Sequence, residues 1–131
     1  SITDNMIFIA GGTGITPFLS YLESIKYTIP AKNIWLFYGA KEKKCIVGEK
    51  LIDDITLVNP RFKVKKYLEY KGNNECYELG KLNVEKILED LQSIGKVDFY
   101  ISGPPEMIQY FKQYIIDSGI KQDYIHIDAW E

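Results

Sequence analysis

Hydrophobic and polar positions divide the chain into two kinds of segment that alternate. Continuous apolar runs of strand length occur at 5–10, 33–40 and 97–102, and the segments between them include stretches with apolar residues three or four positions apart. Continuous runs are typical of strands that are covered on both faces, whereas the wider spacing is typical of amphipathic helices. The pattern therefore predicts strands that alternate with helices along the chain.

Two more strands are predicted where the apolar pattern is weaker. Residues 61–70 alternate Phe62 and Val64 with lysines before the phase slips, which is typical of a strand near the edge of a sheet. Residues 124–131 contain the last short strand, and 71–81, which lack a regular pattern, are predicted to be a loop. The predicted sheet therefore has five strands.

Capping residues indicate where the helices begin and end. Thr16 is a candidate N-cap with Pro17 in the first helical position, and Asn83 is a candidate N-cap further along the chain. Gly119 is the expected C-terminal cap of the last helix, and a short helix is predicted over 47–55. Each segment between two predicted strands thus contains a predicted helix.

These elements predict the α/β class, as a doubly wound, three-layer sandwich with a mostly parallel, five-stranded sheet that residues 1–131 form as a single domain. In such sheets, ligands bind at the carboxyl ends of the strands, where neighbouring connections leave in opposite directions. The two turns richest in glycine and proline, GGTG at 11–14 and SGPPEM at 102–107, both follow strands. They are therefore predicted to share one ligand site.

The chemistry of these turns points to a ligand that carries phosphate. Glycines between a strand and a helix let backbone N–H groups approach an anion, and the helix dipole adds attraction. The GGTG turn alone is weak evidence, because it matches neither the dinucleotide fingerprint nor the P-loop, and a tight turn also needs glycine for conformational reasons. The SGPPEM turn strengthens the case, since it adds a hydroxyl, two rigid prolines and a second helix start.

The composition argues against several other classes of function. A formal net charge of -2 argues against a large electrostatic surface for nucleic acid, and no apolar run approaches the length of a membrane span. The two cysteines and His126 show no metal-ligand spacing, so no metal site is predicted, and His126 is expected to be structural. The N-terminal residues lack the pattern of an export signal, which makes the cytoplasm the expected location.

Four segments carry a resemblance to a known family: GGTGITPFLSYL, LFYGAKEKK, FYISGPPEM and the terminal DAW. Their order and approximate spacing resemble the nucleotide-binding module of the ferredoxin–NADP reductase family of flavoprotein oxidoreductases, over essentially the whole chain. The resemblance implies a ferredoxin reductase-like C-terminal domain that binds NADPH or NADH. It also implies a partner, a β-barrel domain that binds FAD or FMN in the same longer protein or in another subunit, because this chain lacks that barrel.

The resemblance implies roles for individual residues. The first loop would receive the pyrophosphate of the nucleotide and face the flavin, and it contains Gly11, Gly12, Thr13, Gly14, Ile15, Thr16 and Pro17. The turn beside the adenosine ribose would contain Gly39, Ala40 and Lys41. The loop that approaches the nicotinamide would contain Gly103, Pro104, Pro105, Glu106 and Met107. The catalytic candidates are Ser102, Asp128 and Trp130, the last matching a terminal aromatic residue that covers the flavin ring.

Two positions depart from the usual pattern of the family. Many members carry cysteine where this chain has Ser102, which leaves the catalytic role of Ser102 open. Many also carry arginine where Lys41 stands, and lysine cannot make the same bidentate contact with phosphate. Lys41, Lys43 and Lys44 favour NADPH slightly, although Glu42 weakens that preference and a lysine-rich turn is often a solvated surface.

The sequence thus predicts the NAD(P)H-binding domain of a flavin-dependent oxidoreductase, which presents the nicotinamide for hydride transfer to a flavin held elsewhere and is inactive alone. The alternative is a nucleotide-binding or sensing module without hydride transfer. A third hypothesis is a different doubly wound enzyme that binds another phosphate or an adenosine cofactor. The residues leave the downstream electron acceptor and the oligomeric state open.

Overall fold

The computed structural model describes residues 3–28, 32–70 and 76–129, in which strands alternate with helices. The strands are β1 (Asn5–Gly11), β2 (Asn33–Ala40), β3 (Phe62–Leu68), β4 (Glu78–Leu79), β5 (Asp98–Gly103) and β6 (Ile125–Ala129). The helices are α1 (Thr16–Ser24), α2 (Glu49–Val58), α3 (Val84–Asp90) and α4 (Pro105–Asp117). None of these helices is both long enough and apolar enough to cross a membrane. The predicted α/β class is confirmed.

All six strands form one sheet in the order β4-β3-β2-β1-β5-β6, and each described ladder is parallel. The prediction of five strands was wrong because β4 is only two residues long, and its two exposed residues give no hydrophobic pattern. They pair with Tyr67 and Leu68 at the end of β3. The lysine-rich first part of β3 therefore still lies at the sheet edge, as predicted.

Two apolar cores lie on opposite faces of the sheet because successive side chains of a strand alternate between the faces. In β1, Phe8 packs with the core under α1 and α2, whereas Ile7 and Ile9 pack with the core under α3 and α4. This double burial explains why β1 has no polar side chains between Met6 and Ala10.

The helices cover the two faces unequally. The connections from β1 to β3 place α1 and α2 on one face, which we call the α1 face, whereas α3 and α4 lie on the other. The direction of the connections reverses between β1 and β5, because the chain leaves these neighbouring strands toward opposite edges of the sheet. Among the described residues, no helix lies over the part of the α1 face that β5 and β6 form.

Local capping signals were partly correct. The Asn83 side chain caps α3 as predicted, and it accepts a hydrogen bond from the Lys86 backbone N–H at 3.1 Å. Gly119, with φ of +100°, follows α4 as predicted. The prediction for Thr16 was wrong, since it is the first residue of α1 and its hydroxyl donates to the Thr13 carbonyl at 3.1 Å. The glycine turn itself winds into a 3-10 turn that leads directly into α1.

Candidate functional site

The two turns identified from the sequence meet where the connections of the sheet reverse. Ala10 pairs with Ser102 in the ladder between β1 and β5, so that Gly11 and Gly103 lie side by side at the carboxyl ends. Gly14 brings the turns into contact, because a Cβ atom built on it would lie only 2.2 Å from the Ser102 carbonyl oxygen. Only glycine permits this approach without movement of the backbone. The predicted adjacency of the two turns is therefore confirmed.

Both turns place helix starts at this edge of the sheet. Gly12–Ile15 form a 3-10 turn directly before α1, and Gly12 adopts a φ of +56°. The first N–H groups of such a turn have no partner inside it, and the helix that follows adds its dipole. After the neighbouring strand β5, α4 begins at Pro105, and its N-cap residue makes no side-chain hydrogen bond to it. This arrangement suits an anionic group.

A cleft of about 520 Å³ opens beside these turns, within the range of about 300 to 1,000 Å³ that is typical of small-molecule sites. Its walls come from the turns after β1, β2, β3 and β5 and from the chain around β4. The lining residues are Gly11, Gly12, Gly39, Ala40, Lys41, Glu69, Lys81, Leu82, Pro104, Glu106, Met107, Tyr110 and Phe111. The cleft thus lies at the carboxyl ends of the strands, as the fold class predicts.

The structure separates the predicted binding residues into two groups. Those that line the cleft are Gly11, Gly12, Gly39, Ala40, Lys41, Pro104, Glu106 and Met107. The others lie next to it or behind it, and they are Thr13, Gly14, Ile15, Thr16, Pro17, Gly103 and Pro105. Ile15 is fully buried in the core of the α1 face, and Pro17 lines a different groove on that face. Their roles in binding stay predictions.

Two apolar side chains of the protein lie against the bare backbone of the turns. A Cβ atom on Gly11 would lie 2.6 Å from the Met107 sulfur, and one on Gly39 would lie 2.7 Å from Cγ of Leu82. Glycine at these positions therefore makes room for the protein's own side chains as well as for a ligand. Met107 lines the cleft and has a flexible side chain, so it is suited to adjust its packing when the cleft is filled.

The cleft also contains three polar residues that were not predicted from the sequence: Glu69, Lys81 and Tyr110. The Glu69 N–H donates to the Ala40 carbonyl at 3.1 Å, which holds the end of β3 beside the turn after β2. Lys41 and Lys81 form no ion pair with a residue that the structure describes, and both are exposed. Helical spacing would have indicated Tyr110, since it lies four positions after Glu106 on α4. Lys81 and Glu69 follow strands with weak patterns, which gave no such signal.

Ser102 is the one catalytic candidate whose side chain the structure describes, and it does not line the cleft. Ser102 is fully buried, and its hydroxyl has no hydrogen-bond partner among the described residues. Asp128 pairs with Ser102 in the ladder between β5 and β6, whereas Trp130 lies outside the described residues. Ser102 thus keeps an unused hydrogen-bonding group immediately behind the Gly103 turn.

A separate polar pair lies at the amino end of β5. Asp98 is fully buried, its Oδ1 atom lies 3.1 Å from His126 Nε2, and its other oxygen accepts the Thr3 backbone N–H. Burial alone would raise the pKa of the Asp98 carboxyl, but the hydrogen bonds from His126 and Thr3 outweigh it and lower the pKa. This contact gives His126 a structural role. Nowhere in the described part of the chain do three His, Cys, Asp or Glu side chains come together as a possible metal site.

The sheet order, together with glycine turns at its reversal point, defines a doubly wound domain of the dinucleotide-binding kind. The family model of the oxidoreductase NAD-binding domain matches residues 8–113, which include both turns. The chain therefore belongs to the oxidoreductase NAD-binding domain family.

Individual relatives agree with this assignment. NADH-cytochrome b5 reductase 1 of Bos taurus is 34% identical over 112 residues, which cover 82% of this chain and 36% of that protein. A probable flavin reductase of Vibrio harveyi is 24% identical over 126 residues, which cover 95% of this chain and 54% of that protein. The structure of the CS-b5R domains of human Ncb5or in its NAD+ form has a TM-score of 0.81 and 20% identity, with 94% of this chain and 36% of that chain covered.

These similarities confirm the predicted resemblance to the nucleotide-binding module of the ferredoxin–NADP reductase family. The chain spans about a third to a half of the length of the curated relatives it matches.

Proposed function

We propose that this chain is the NAD(P)H-binding domain of a flavin-dependent, electron-transferring oxidoreductase, and that it presents the nicotinamide of NADPH or NADH to FAD or FMN held by another domain. The observation that carries the proposal is the contact between Gly14 and the Ser102 backbone, which joins two helix starts at the reversal point of the sheet. A diphosphate-linked dinucleotide has the charge that such a site attracts, and the cleft lies at the edge of the sheet where this fold class binds such ligands.

The residues of the cleft divide into regions with different tasks. The glycine turn and the start of α4 supply main-chain donors for the diphosphate. Lys41 and Lys81 offer positive charge at the adenosine end, and the turn at Gly103 and Pro104 forms the nicotinamide end. When bound, nicotinamide and flavin supply the redox chemistry, so that this chain contributes binding and orientation.

A second domain is part of the proposal. Because the chain spans about a third to a half of the length of relatives such as the probable flavin reductase, we propose that residues 1–131 are one module and that a flavin-binding barrel precedes them in a longer protein or belongs to another subunit.

The cytoplasmic location predicted from the sequence also stays a proposal. Fractionation of cells that express the longer protein tests it.

Calorimetric titration of the chain with NADPH, NADH and adenosine 2′,5′-bisphosphate tests nucleotide binding. We expect at least one nicotinamide nucleotide to bind, and we expect Lys41→Ala to weaken the 2′-phosphate ligands about tenfold more than NADH, since it removes a charge near the ribose. Lys96→Ala is the matched control, because Lys96 is also exposed but precedes β5 at the opposite edge of the sheet. Absence of binding by all three ligands would refute the proposal.

The burial of Ser102 favours the second candidate, a nucleotide-binding or sensing module without hydride transfer. A hydroxyl that does not reach the cleft surface cannot contact a nicotinamide unless the turn moves. Stopped-flow measurement of flavin reduction by NAD(P)H in the longer protein separates the two functions. Rapid reduction supports the oxidoreductase, whereas tight nucleotide binding without reduction supports the sensing module.

A further inference from the structure

The two methionines of the chain have different surroundings. Met6 lies in β1 and is 8% exposed, and its sulfur accepts a hydrogen bond from the Tyr21 hydroxyl at 3.7 Å. Met107 is the third residue of α4, is partly exposed and lines the cleft. Peroxides oxidise the sulfur of methionine to a sulfoxide, and they react most readily where the side chain is exposed. Met107 is therefore the methionine that an oxidant in solution reaches first.

The Met107 thioether lies across both turns of the candidate site. A Cβ atom built on Gly11 would lie 2.6 Å from the Met107 sulfur, and one built on Gly103 would lie 2.9 Å from the Met107 methyl carbon. One side chain thus packs against the bare backbone at the ends of β1 and β5. This is the backbone beside the cleft that the proposed function assigns to the nucleotide.

Oxidation changes both the size and the polarity of this side chain, because it adds a polar oxygen to the sulfur. On one side, the sulfur packs so closely against Gly11 that a Cβ atom there would overlap it. The added oxygen therefore either accepts a hydrogen bond from the glycine turn, whose first N–H groups have no partner inside the turn, or extends into the cleft. In both positions it occupies donors or space that a diphosphate needs.

We propose that Met107 is a peroxide-sensitive modification site, and that its oxidation to the sulfoxide closes the cleft to NAD(P)H. The O–O bond of hydrogen peroxide breaks, one oxygen bonds to the Met107 sulfur, and the other leaves as water with both protons. The sulfur loses two electrons and the peroxide gains them. Methionine sulfoxide reductase restores the thioether. The inference rests on the proposed function, because it concerns nucleotide binding in the same cleft.

Peptide mass spectrometry of the chain during treatment with hydrogen peroxide measures the oxidation rate of each methionine, with Met6 as the internal reference. We expect Met107 to react at least tenfold faster than Met6, which is nearly buried. Saturating NADPH or NADH, whichever binds more tightly, should slow the oxidation of Met107 at least fivefold and leave that of Met6 unchanged. Equal rates for the two methionines would overturn the inference. A Met107 rate that bound nucleotide does not change would also overturn it.

Calorimetric titration with NADPH and NADH before and after peroxide treatment measures closure of the cleft. We expect the oxidised chain to bind at least tenfold more weakly, with an unchanged circular dichroism spectrum. Met107→Leu is the matched variant, because leucine has a similar volume but no sulfur, and both exposed cysteines remain. Its affinity, whatever the value, should be the same before and after peroxide. Native affinity in the oxidised chain, an altered spectrum, or an equal loss in Met107→Leu would overturn the inference.

Reversal of the oxidation gives a test without any substitution. Methionine sulfoxide reductase should return the nucleotide affinity of the oxidised chain to within twofold of its starting value. A thiol reductant alone reverses disulfides and sulfenic acids of cysteine but not a methionine sulfoxide, so it should restore nothing. Full recovery with the thiol alone would overturn the inference, because Cys45 or Cys76 would then be the sensitive residue.

Failure of the proposed function is recognised before any peroxide is added. An unoxidised chain that binds neither NADPH nor NADH contradicts the proposed function, and the inference about closure falls with it. A chain that binds one of these nucleotides equally well before and after oxidation of Met107 contradicts the inference alone.

Discussion

Replacement of Gly14 by alanine perturbs the one contact on which the candidate site depends. The added Cβ would lie 2.2 Å from the Ser102 carbonyl oxygen, 2.4 Å from the Ser102 carbonyl carbon and 2.6 Å from the Gly103 nitrogen. All three are backbone atoms, so no side-chain rotation can relieve the overlap. The ladder between β1 and β5 fixes the register of both turns, and the overlap must therefore distort the backbone.

The size of the effect follows from these distances. The closest approach is about 1.2 Å shorter than the 3.4 Å at which ordinary contact begins, so the turns must separate by roughly that amount. Overpacking of a well-packed interior costs about 1 to 3 kcal/mol, and we expect about 3 kcal/mol here because backbone must move. For a chain of this size, each kcal/mol lowers the unfolding temperature by about 3 to 5 °C. The midpoint of Gly14→Ala should therefore fall by about 10 °C.

Thermal unfolding followed by circular dichroism measures the loss of stability. Calorimetric titration of NADPH measures nucleotide binding at the distorted turns. Gly95→Ala is the matched control, since its Cβ would meet nothing within 4 Å, and we expect its stability to stay within about 0.5 kcal/mol of the native chain. Gly12→Ala isolates backbone strain, because Gly12 has φ of +56° but open space around it, and it should cost about 1 kcal/mol.

A Gly14→Ala chain whose midpoint and NADPH affinity both match those of Gly95→Ala would refute the reasoning, since the two turns could not then be in contact as described. Loss of stability with native NADPH affinity would show that the contact is structural and that the nucleotide binds elsewhere.

Three further substitutions test single interactions by urea unfolding. Ser102→Ala removes a buried hydroxyl that has no partner among the described residues, so stability should stay unchanged or rise by up to about 1 kcal/mol, and a clear loss would reveal a partner outside them. Asn83→Ala removes the side-chain cap of α3 and should cost about 1 kcal/mol, whereas no loss would show that the cap contributes nothing. Asp98→Asn should destabilise the chain at pH 7, and this deficit should shrink at acid pH. The folded pKa of Asp98 lies below the unfolded value of about 3.9, so its stabilising effect is present above that value and is lost as the pH falls through the folded pKa. A deficit that is the same at pH 7 and pH 3 would contradict this assignment.

Features that depend on neighbours in the sequence were accessible without a structure. The continuous apolar run of β1 indicated a strand buried on both faces, and Asn83 and Gly119 indicated helix ends through bonds that close within a few residues. The glycine and proline turns likewise indicated the edge of the sheet at which a cleft opens. The prediction for Thr16 failed because the glycine turn continues into α1 as a 3-10 turn, which no capping pattern foretells.

Only the tertiary structure decided which distant residues meet. The strand β4 forms because Glu78 and Leu79 pair with the end of β3. Their own hydrophobic pattern does not predict a strand. Lys81 enters the cleft for the same reason, and Asp98 meets His126 because β5 and β6 are paired. Local sequence determines the elements through short-range bonds and side-chain periodicity, whereas the order of the strands determines which of their ends and faces come together and which face stays uncovered.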